Sequence, residues 1–313
     1  MSRGLGDVYK RQDELPDEFI EKVRTAVKRV SPEKFLLGEV WEDATTKFGF
    51  DHRRTYLLGK GLDSVMNYPF KNSVLDFVKG KPAQQAANEI LSICEHYPAP
   101  AINTALNFLS THDTERALTV IADEPANGRG REWQSGRCVT GDAYEEGMLK
   151  LRMAYAIIYT LPGVPCLYYG DEIAMQGFKD PYNRRPYNWA NGDTYVRSRY
   201  ERMIRVRNEH TALQTGELLP LYAEDDVMAF ARLVRGGRDV FGEPAKDECF
   251  ISLFNRSLKE TKTVTLQVGD FADGVFVDAF HPETRFTVEN GQLTVDILPL
   301  KGFLLQNIPP ENH

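Results

Sequence analysis

Cysteine and long apolar runs are both scarce in this sequence. Its 313 residues contain four cysteines, Cys94, Cys138, Cys166 and Cys249, and no CxxC pair. That spacing argues against a disulfide framework and against a structural zinc site. No apolar run approaches the length of a membrane span, and the N-terminus lacks the apolar core of a signal peptide. We therefore expect a cytoplasmic protein with no membrane partner.

Positive charge is also in deficit. The chain has 38 Lys and Arg residues against 45 Asp and Glu residues, which gives a formal net charge of −7. This balance disfavours nucleic acid as a general partner and favours a neutral or cationic ligand, although a local basic groove can exist within an acidic total. The sequence has no DxDxDG-type loop for calcium. We expect neither a metal nor another cofactor.

Helical patterns and short apolar runs alternate from Asp13 to Gly216. The amphipathic helices predicted in this region cover Glu14–Val30, Glu145–Gly163, Arg197–Leu213 and a segment that begins at Pro82. The apolar runs between them, which have the length of buried strands, are KFLLGEV, LDSVMNYPF, ALNFLSTHD and VPCLYYGDE. This alternation is typical of βα units on a parallel sheet.

The character of the chain changes after Gly216. Short alternating or β-branched runs follow one another, separated by turn residues: MAFARLV, CFISLFN, KTVTLQV, GVFVDAF, RFTVEN and LTVDILP. These runs predict an antiparallel β-sandwich. The Asn290–Gly291 pair between the last two runs predicts a tight hairpin.

Ionisable residues terminate three apolar runs of the first part: Glu39, His112–Asp113 and Asp171–Glu172. In a parallel βα barrel, the carboxyl ends of the strands meet on one face, where loops build the active site. Carboxylates that face one another across a pocket suit glycoside hydrolysis, in which one donates a proton and another supports the charged transition state. Taken singly, each of these groups also has a structural explanation. Glu39 could form a surface ion pair, and Asp171–Glu172 could cap the helix or loop that follows.

Three long motifs carry a family resemblance: FLLGEVW, LNFLSTHDTERAL and PGVPCLYYGDEIAMQGFKDPYNRRPYNW. They resemble the alpha-amylase superfamily, glycoside hydrolase family 13, in its neopullulanase, cyclomaltodextrinase and maltogenic-amylase-like branch. The resemblance extends from Asp13 to the C-terminus. It implies an α/β TIM-type barrel followed by an antiparallel β-sandwich. It also implies a retaining alpha-glucan hydrolase that acts on maltooligosaccharide, cyclodextrin or pullulan-type substrates.

The resemblance also implies roles for individual residues. Glu39 corresponds to the general acid/base, and Asp113 to a second carboxylate that holds hydroxyls of the distorted sugar. His112 corresponds to a hydrogen-bond donor to the transition state. Asp180 and Arg184 match the pair that grips the next sugar on the non-reducing side.

Other residues of the motifs keep two interpretations. Trp41 is either a sugar-stacking platform or part of the core packing. Tyr187 is a candidate stacking platform. Arg185 is either structural or sugar-binding, and Arg116 either supports Asp113 or faces solvent. Asp171 and Glu172 are expected to support the mouth of the barrel and to order its loops, without a catalytic part.

One departure from the family pattern concerns the nucleophile. The family carries it as an Asp in a strand of the form G-[FW]-R-[LI]-D-V-A-D-E-L-P, and the match here resumes only at Asp13–Pro16. Counting back, Lys10 occupies the position of the nucleophile and Val8 that of the preceding Arg. An ammonium group cannot form a glycosyl ester, so the chain as written is predicted to be inactive.

The departure also shapes the predicted domain organisation. Residues 1–12 are polar and irregular, without the pattern of a barrel strand, and we interpret them as a non-native leader. Residues 13–216 are then the C-terminal half of a TIM-type (β/α) barrel, and residues 217–313 a β-sandwich domain. A homo-oligomer stays open for the full-length parent.

Two alternative functions fit the same motifs. The first is a non-catalytic carbohydrate-binding or scaffold protein on an amylase-like fold. The second is a glucanotransferase or isomerase that shares the covalent intermediate and differs in whether a sugar or water attacks it. The sequence leaves open whether alpha-1,4 or alpha-1,6 linkages are preferred.

Overall fold

Short strands and helices alternate through the first two thirds of the chain. The structure is a computed structural model that describes residues 8–9, 15–122, 125–190 and 192–310. Up to residue 216 its elements are, in chain order, β1 (Val8–Tyr9), α1 (Asp17–Val30), β2 (Leu37–Gly38), β3 (Phe48–Gly49), β4 (His52–Arg53), β5 (Ser64–Val65), α2 (Tyr68–Lys79), α3 (Ala83–His96), α4 (Ala99–Asn103), β6 (Leu106–Asn107), α5 (Ala117–Ala122), α6 (Arg131–Gly136), α7 (Gly141–Thr160), β7 (Val164–Pro165), α8 (Thr194–Glu209) and α9 (Thr211–Thr215). Single turns of 3-10 helix cover Asp171–Ile173 and Tyr182–Arg184.

Five of these strands lie side by side and run parallel. β1 pairs with β2 and β2 with β5, while β6 pairs with β7. A single parallel bridge between Met66 and Leu106 joins the two groups. Because the strands are parallel and are neighbours in the sheet, their carboxyl ends share one edge. The residues that follow each strand therefore emerge close together.

β1 differs from the expectation for the first residues. The sequence predicts no strand in residues 1–12, yet Val8 pairs with Leu37 and Tyr9 with Gly38 in parallel register. Val and Tyr both favour strands, and the edge of β2 offers unpaired backbone groups. Lys10 lies outside the described residues. In the chain it follows Tyr9 as Glu39 follows Gly38.

α2 begins inside a run that the sequence predicts to be a strand. Of residues 62–70, only Ser64–Val65 form a strand, and the helix starts at Tyr68. The Asn67 side chain caps it by accepting a hydrogen bond from the Phe70 N–H at 3.2 Å. Pro69 sits in the first turn, where a missing N–H leaves no bond unmade. The run is apolar because α2 is buried on most sides, which hides its helical period.

The remaining elements are eight antiparallel strands. They are β8 (Glu217–Glu224), β9 (Val227–Val234), β10 (Glu248–Asn255), β11 (Lys262–Gln267), β12 (Val275–Asp278), β13 (His281–Glu289), β14 (Gln292–Ile297) and β15 (Lys301–Ile308). Their order in the sheet is β11-β14-β13-β12-β15-β10-β9-β8. The antiparallel character and the hairpin at Asn290–Gly291, where both residues have positive φ, are confirmed.

The expected sandwich takes the form of one continuous sheet. β13 pairs with β12 through its first part and with β14 through Val288 and Glu289, so it passes from one layer to the next. The edge strands β8 and β11 contact each other. The sheet thus curls around an apolar core of its own, which includes Ile251, Leu266 and Val295. No helix in the described part of the chain is long and apolar enough to span a bilayer.

Two buried arginines hold the end of α7, one from this sheet and one from α8. Arg232 on β9 donates to the carbonyls of Thr160 at 2.8 Å and Gly216 at 2.9 Å, and Arg207 on α8 donates to those of Tyr159 at 2.7 Å and Gly163 at 2.5 Å. Burial lowers the pKa of Arg232 to about 9 and that of Arg207 to about 10. Two of these four acceptors, the carbonyls of Tyr159 and Thr160, lie in the last turn of α7, where a helix leaves its carbonyls unpaired.

Replacing Gly163 with alanine tests how tightly the turn before β7 is packed. Gly163 has φ +112°, and a Cβ there would lie 2.7 Å from both the Ala105 carbonyl oxygen and the Asn107 side chain. Left-handed strain and overpacking together should lower the free energy of unfolding by about 2–4 kcal/mol. Gly128 is the matched control, because it also has positive φ, +79°, but open space around the added methyl.

Urea denaturation of Gly163→Ala and Gly128→Ala measures the difference. Gly128→Ala should cost only the strain, about 1–2 kcal/mol. Equal losses in the two variants would show that the turn is not crowded.

Candidate active site

Glu39 lies at the boundary between an apolar cluster and the open edge of the parallel strands. It follows β2 directly, and only 4% of its surface is exposed. The Tyr68 hydroxyl donates a hydrogen bond to Glu39 Oε1 at 3.0 Å. The Tyr68 ring packs edge-on against Phe108, with the centroids 4.9 Å apart, and stacks on the Trp41 ring at 4.4 Å. Burial, followed by the nearby Glu39 charge, raises the pKa of Tyr68, so its hydroxyl remains a donor.

His112 and Asp113 follow β6 and are tied to a second segment. His112 Nε2 lies 3.0 Å from Asp113 Oδ2. Arg184 donates through Nη2 to Asp113 Oδ1 at 3.0 Å and through Nε to the His112 carbonyl at 2.8 Å. The same Nε lies 3.2 Å from Asp180 Oδ1. A planar guanidinium therefore fixes the orientation of both carboxylates.

The two segments converge. One side-chain ligand atom each of Glu39, His112 and Asp113 lie within 4.8 Å of one another. The same atoms could coordinate a cation, but the Arg184 guanidinium already occupies Asp113 Oδ1 at 3.0 Å. The geometry therefore suits proton transfer and hydrogen bonding to a polar ligand better than metal binding.

Arg116 does not face solvent but belongs to a buried ion pair beneath the site. It is fully buried, with Nη1 3.1 Å from Asp171 Oδ1. It also donates to the carbonyls of Tyr169 and, at 2.9 Å, Asn183. Burial raises the pKa of Asp171 to about 6 against the opposing effect of the Arg116 charge. Asp171 thus supports the site from beneath and does not enter it.

Asn183 connects this buried pair to the loop that carries His112 and Asp113. Its Nδ2 lies within hydrogen-bonding distance of the carbonyls of Thr111 at 3.3 Å, His112 at 2.8 Å and Thr114 at 2.7 Å. Neither Asn183 nor Tyr68 is among the site residues predicted from the sequence. The signals that point to them are an amide between Asp180 and Arg184, and a Tyr three residues after the end of β5.

The remaining motif residues line the outer rim. Arg185 Nη2 donates to the Ser135 carbonyl at 2.7 Å, which is a structural contact. Glu172 accepts a hydrogen bond from the Gly170 N–H at 2.7 Å. Tyr187 is half-buried, and its ring lies 4.6 Å from Trp189, which is 88% exposed. Trp41, 45% exposed, has one face against Tyr68 and the other available.

Comparison with known proteins identifies the family to which the chain is similar. Residues 8–216 match the family described as "Alpha amylase, catalytic domain". An amylopullulanase from Thermoanaerobacter thermohydrosulfuricus is 33% identical over 311 residues, which cover 94% of this chain and 20% of the relative. Neopullulanase 2 from Thermoactinomyces vulgaris is 29% identical over 299 residues, which cover 94% of this chain and 44% of the relative. The chain thus spans less than half of these relatives.

Solved structures show the same likeness. Ttha1563 from Thermus thermophilus superimposes with a TM-score of 0.74 at 26% identity, covering 96% of this chain and 58% of the other. A cyclomaltodextrinase superimposes with a TM-score of 0.73 at 25% identity, covering 95% of this chain and 44% of the other.

Replacing Asn183 with alanine should loosen the loop that carries Asp113. The change removes a donor from the carbonyls of Thr111, His112 and Thr114, of which His112 keeps its bond from Arg184, at a cost of about 2–3 kcal/mol in the free energy of unfolding. Asn88→Ala, which removes one exposed hydrogen bond from Gln84, is the control and should cost less than about 0.5 kcal/mol. Urea denaturation gives both values, and similar losses would contradict the role of Asn183.

Proposed function

The chain belongs to the alpha-amylase family, whose relatives named above are glycosidases, and we propose that its site binds alpha-glucans in the manner of a retaining glycoside hydrolase. The observation that carries this proposal is the convergence of Glu39, His112 and Asp113 within 4.8 Å. A buried carboxyl, an imidazole and a second carboxylate together offer a proton donor and acceptors for sugar hydroxyls.

Glu39 is the proposed general acid/base. It lies where the apolar cluster around Tyr68 and Phe108 ends, so the glycosidic oxygen of a bound glucan can reach it while bulk water is partly excluded. The Tyr68 hydroxyl holds the carboxyl group through Oε1, which fixes its orientation before a glucan binds. A carboxyl group held in this way has its proton in position for transfer to the glycosidic oxygen before the glycosidic bond breaks.

Asp113, His112 and the Arg184–Asp180 pair are the proposed sugar-holding groups. Arg184 binds one oxygen of Asp113, and the other lies beside His112 Nε2. Asp180 is more exposed than Asp113 and extends this network away from Glu39. Its carboxylate can accept hydrogen bonds from the hydroxyls of a neighbouring glucose. The outer face of Trp41 is the proposed stacking surface, since sugar rings pack their apolar faces on aromatic rings.

The domain organisation is part of the same proposal. Four adjacent parallel strands, β2, β5, β6 and β7, with flanking helices support residues 13–216 as the C-terminal half of a TIM-type barrel, and β1 adds a fifth strand before it. Residues 217–313 form the proposed second domain, built on the curled antiparallel sheet.

The proposed activity is incomplete in the chain as written. The pairing of Tyr9 with Gly38 supports the alignment in which Lys10 stands at the position of the family's Asp nucleophile. A retaining mechanism needs a carboxylate there to form the glycosyl ester. We expect glucan binding without turnover.

Experiment can distinguish two other functions from glucan hydrolysis. A glucan-binding or scaffold protein would use the same sugar contacts and never cleave. A glucanotransferase would pass the glycosyl group to a sugar instead of water. A third possibility follows from the short Glu39–Asp113 separation: Asp113 could attack if the chain does hydrolyse glucans.

Maltotriose and beta-cyclodextrin titrations test the binding step. We expect saturable binding to the chain, and no glucose or maltose released on prolonged incubation. Arg184→Gln should weaken binding by roughly tenfold or more, because it removes charge-assisted contacts that order Asp113. Arg235→Gln is the control, since Arg235 is exposed and pairs with Glu217 at the start of β8. Equal weakening in the two variants would contradict the proposed site.

A chimera tests the catalytic step. Residues 1–12 are replaced by the corresponding first part of the Geobacillus thermopakistaniensis cyclomaltodextrinase, which is 28% identical to this chain over 299 residues, with an Asp in place of Lys10 as the family pattern requires. We expect the chimera to hydrolyse maltotriose, and Glu39→Gln in it to lower the rate by about 10²–10⁴-fold. A folded chimera that binds maltotriose without hydrolysis would favour the binding protein. A labelled acceptor sugar detects transfer.

A further inference from the structure

A cavity of about 110 Å³ lies where α7 and α8 meet the C-terminal sheet. Its walls come from both helices, from the β12–β13 turn and from the segment around β15. About 10–15 Å³ is enough to hold one water, so this volume exceeds the space for a single water several-fold. It therefore has room for a ligand of about monosaccharide size, and it lies apart from the residues of the candidate active site.

The cavity concentrates positive charge in an otherwise acidic chain. Its lining includes the cations Arg152, Arg199, Arg202 and Lys301, together with His281, and a single carboxylate, Asp278. Among the described residues, none of the three arginines forms an ion pair. Close cations without carboxylate partners repel one another, so the cavity favours an anion.

The arginines keep donors available for a ligand. Arg199 Nη2 donates to the Tyr195 hydroxyl at 2.8 Å, and Arg202 Nη2 donates to the Phe280 carbonyl at 2.6 Å. Each guanidinium has five N–H donors in all, and most of them are not used by these contacts. The hydrogen bond from Arg199 lowers the pKa of Tyr195, which indicates a positive local potential.

Asp278 does not neutralise this charge fully. It is 2% exposed, and its Oδ1 accepts a hydrogen bond from the Phe280 N–H at 3.0 Å. Burial raises the pKa of Asp278 although the Phe280 N–H and the charges of His281, Lys301 and Arg202 oppose the change. The structure records no ion pair for Asp278 within the described ranges. A carboxyl group that retains its proton more readily leaves the cavity more cationic.

The apolar part of the wall suits the body of an organic ligand. Phe254, Phe280, Met153 and Met203 line it, and the Arg202 guanidinium lies 5.2 Å from the centre of the Phe280 ring. Inorganic anions alone would leave this surface in contact with water. A neutral sugar would leave the cations without counter-charge.

We propose that this cavity binds a small phosphorylated molecule of about monosaccharide size, with its phosphate held by Arg199 and Arg202 and its body packed on Phe280. Arginine forks match the geometry of phosphate oxygens. Because the cavity joins α7 and α8 to the sheet, occupancy stabilises this junction and raises the unfolding temperature. The proposal is independent of glucan hydrolysis and of the residue at position 10.

Calorimetric titration tests the proposal with glucose 6-phosphate as the probe, and with inorganic phosphate and glucose as comparisons. We expect saturable binding of glucose 6-phosphate, weaker binding of phosphate and no binding of glucose. Arg199→Gln and Arg202→Gln should each weaken glucose 6-phosphate binding by about tenfold or more, since each removes a charge-assisted contact. Arg205→Gln, an exposed change on the same helix, should leave the affinity unchanged.

Four results would overturn the proposal. Glucose binding as tightly as its phosphate would make the cavity a neutral-sugar site. Absence of saturable binding to folded protein, checked by circular dichroism, would leave no site. Equal weakening by Arg205→Gln would reveal nonspecific surface attraction, and tighter binding of phosphate than of glucose 6-phosphate would contradict the assigned size. Maltotriose binding, measured in parallel, reports on the active site alone and separates the two proposals.

Discussion

The fully buried guanidinium of Arg116 is the constraint on which the site depends. A charge without solvent needs partners, and Arg116 finds them in Asp171 and in the carbonyls of Tyr169 and Asn183. Asn183 in turn holds the carbonyls of Thr111, His112 and Thr114. The position of Asp113 is therefore set by contacts from beneath, and Arg184 needs only to orient its carboxylate from above.

The opposite side of the site follows the same principle with different chemistry. Glu39 leaves a strand whose neighbours are apolar, and Tyr68 supplies the hydrogen bond that makes its burial tolerable. Tyr68 can do so because α2 starts immediately after β5, under the cap of Asn67. Helix capping, apolar packing and the placement of the proposed proton donor Glu39 are thus one local arrangement.

Much of this could be predicted from particular residues. The periodic apolar positions of α1, α7 and α8 are strong helix signals, and Asn290–Gly291 is a strong hairpin signal. Glu39, His112 and Asp113 were recognisable because each follows an apolar run, but their mutual distances depend on tertiary packing. The roles of Tyr68, Arg116 and Asn183 depend on burial and on partners distant in sequence, which local patterns do not encode. β1 was missed because two residues carry no periodicity, and it is stabilised by the edge of β2.

A crystal structure of the chain soaked with maltotriose tests the central claim most directly. The account predicts an uncleaved trisaccharide with one glycosidic oxygen within hydrogen-bonding distance of Glu39. The hydroxyls of the adjoining glucose should contact Asp113 and His112, and the next sugar should lie beside Arg184 and Asp180. A trisaccharide bound elsewhere, or one cleaved in the crystal, would contradict it. In the first case the convergence of these side chains would have only a structural meaning, and in the second a carboxylate other than the family nucleophile would be at work.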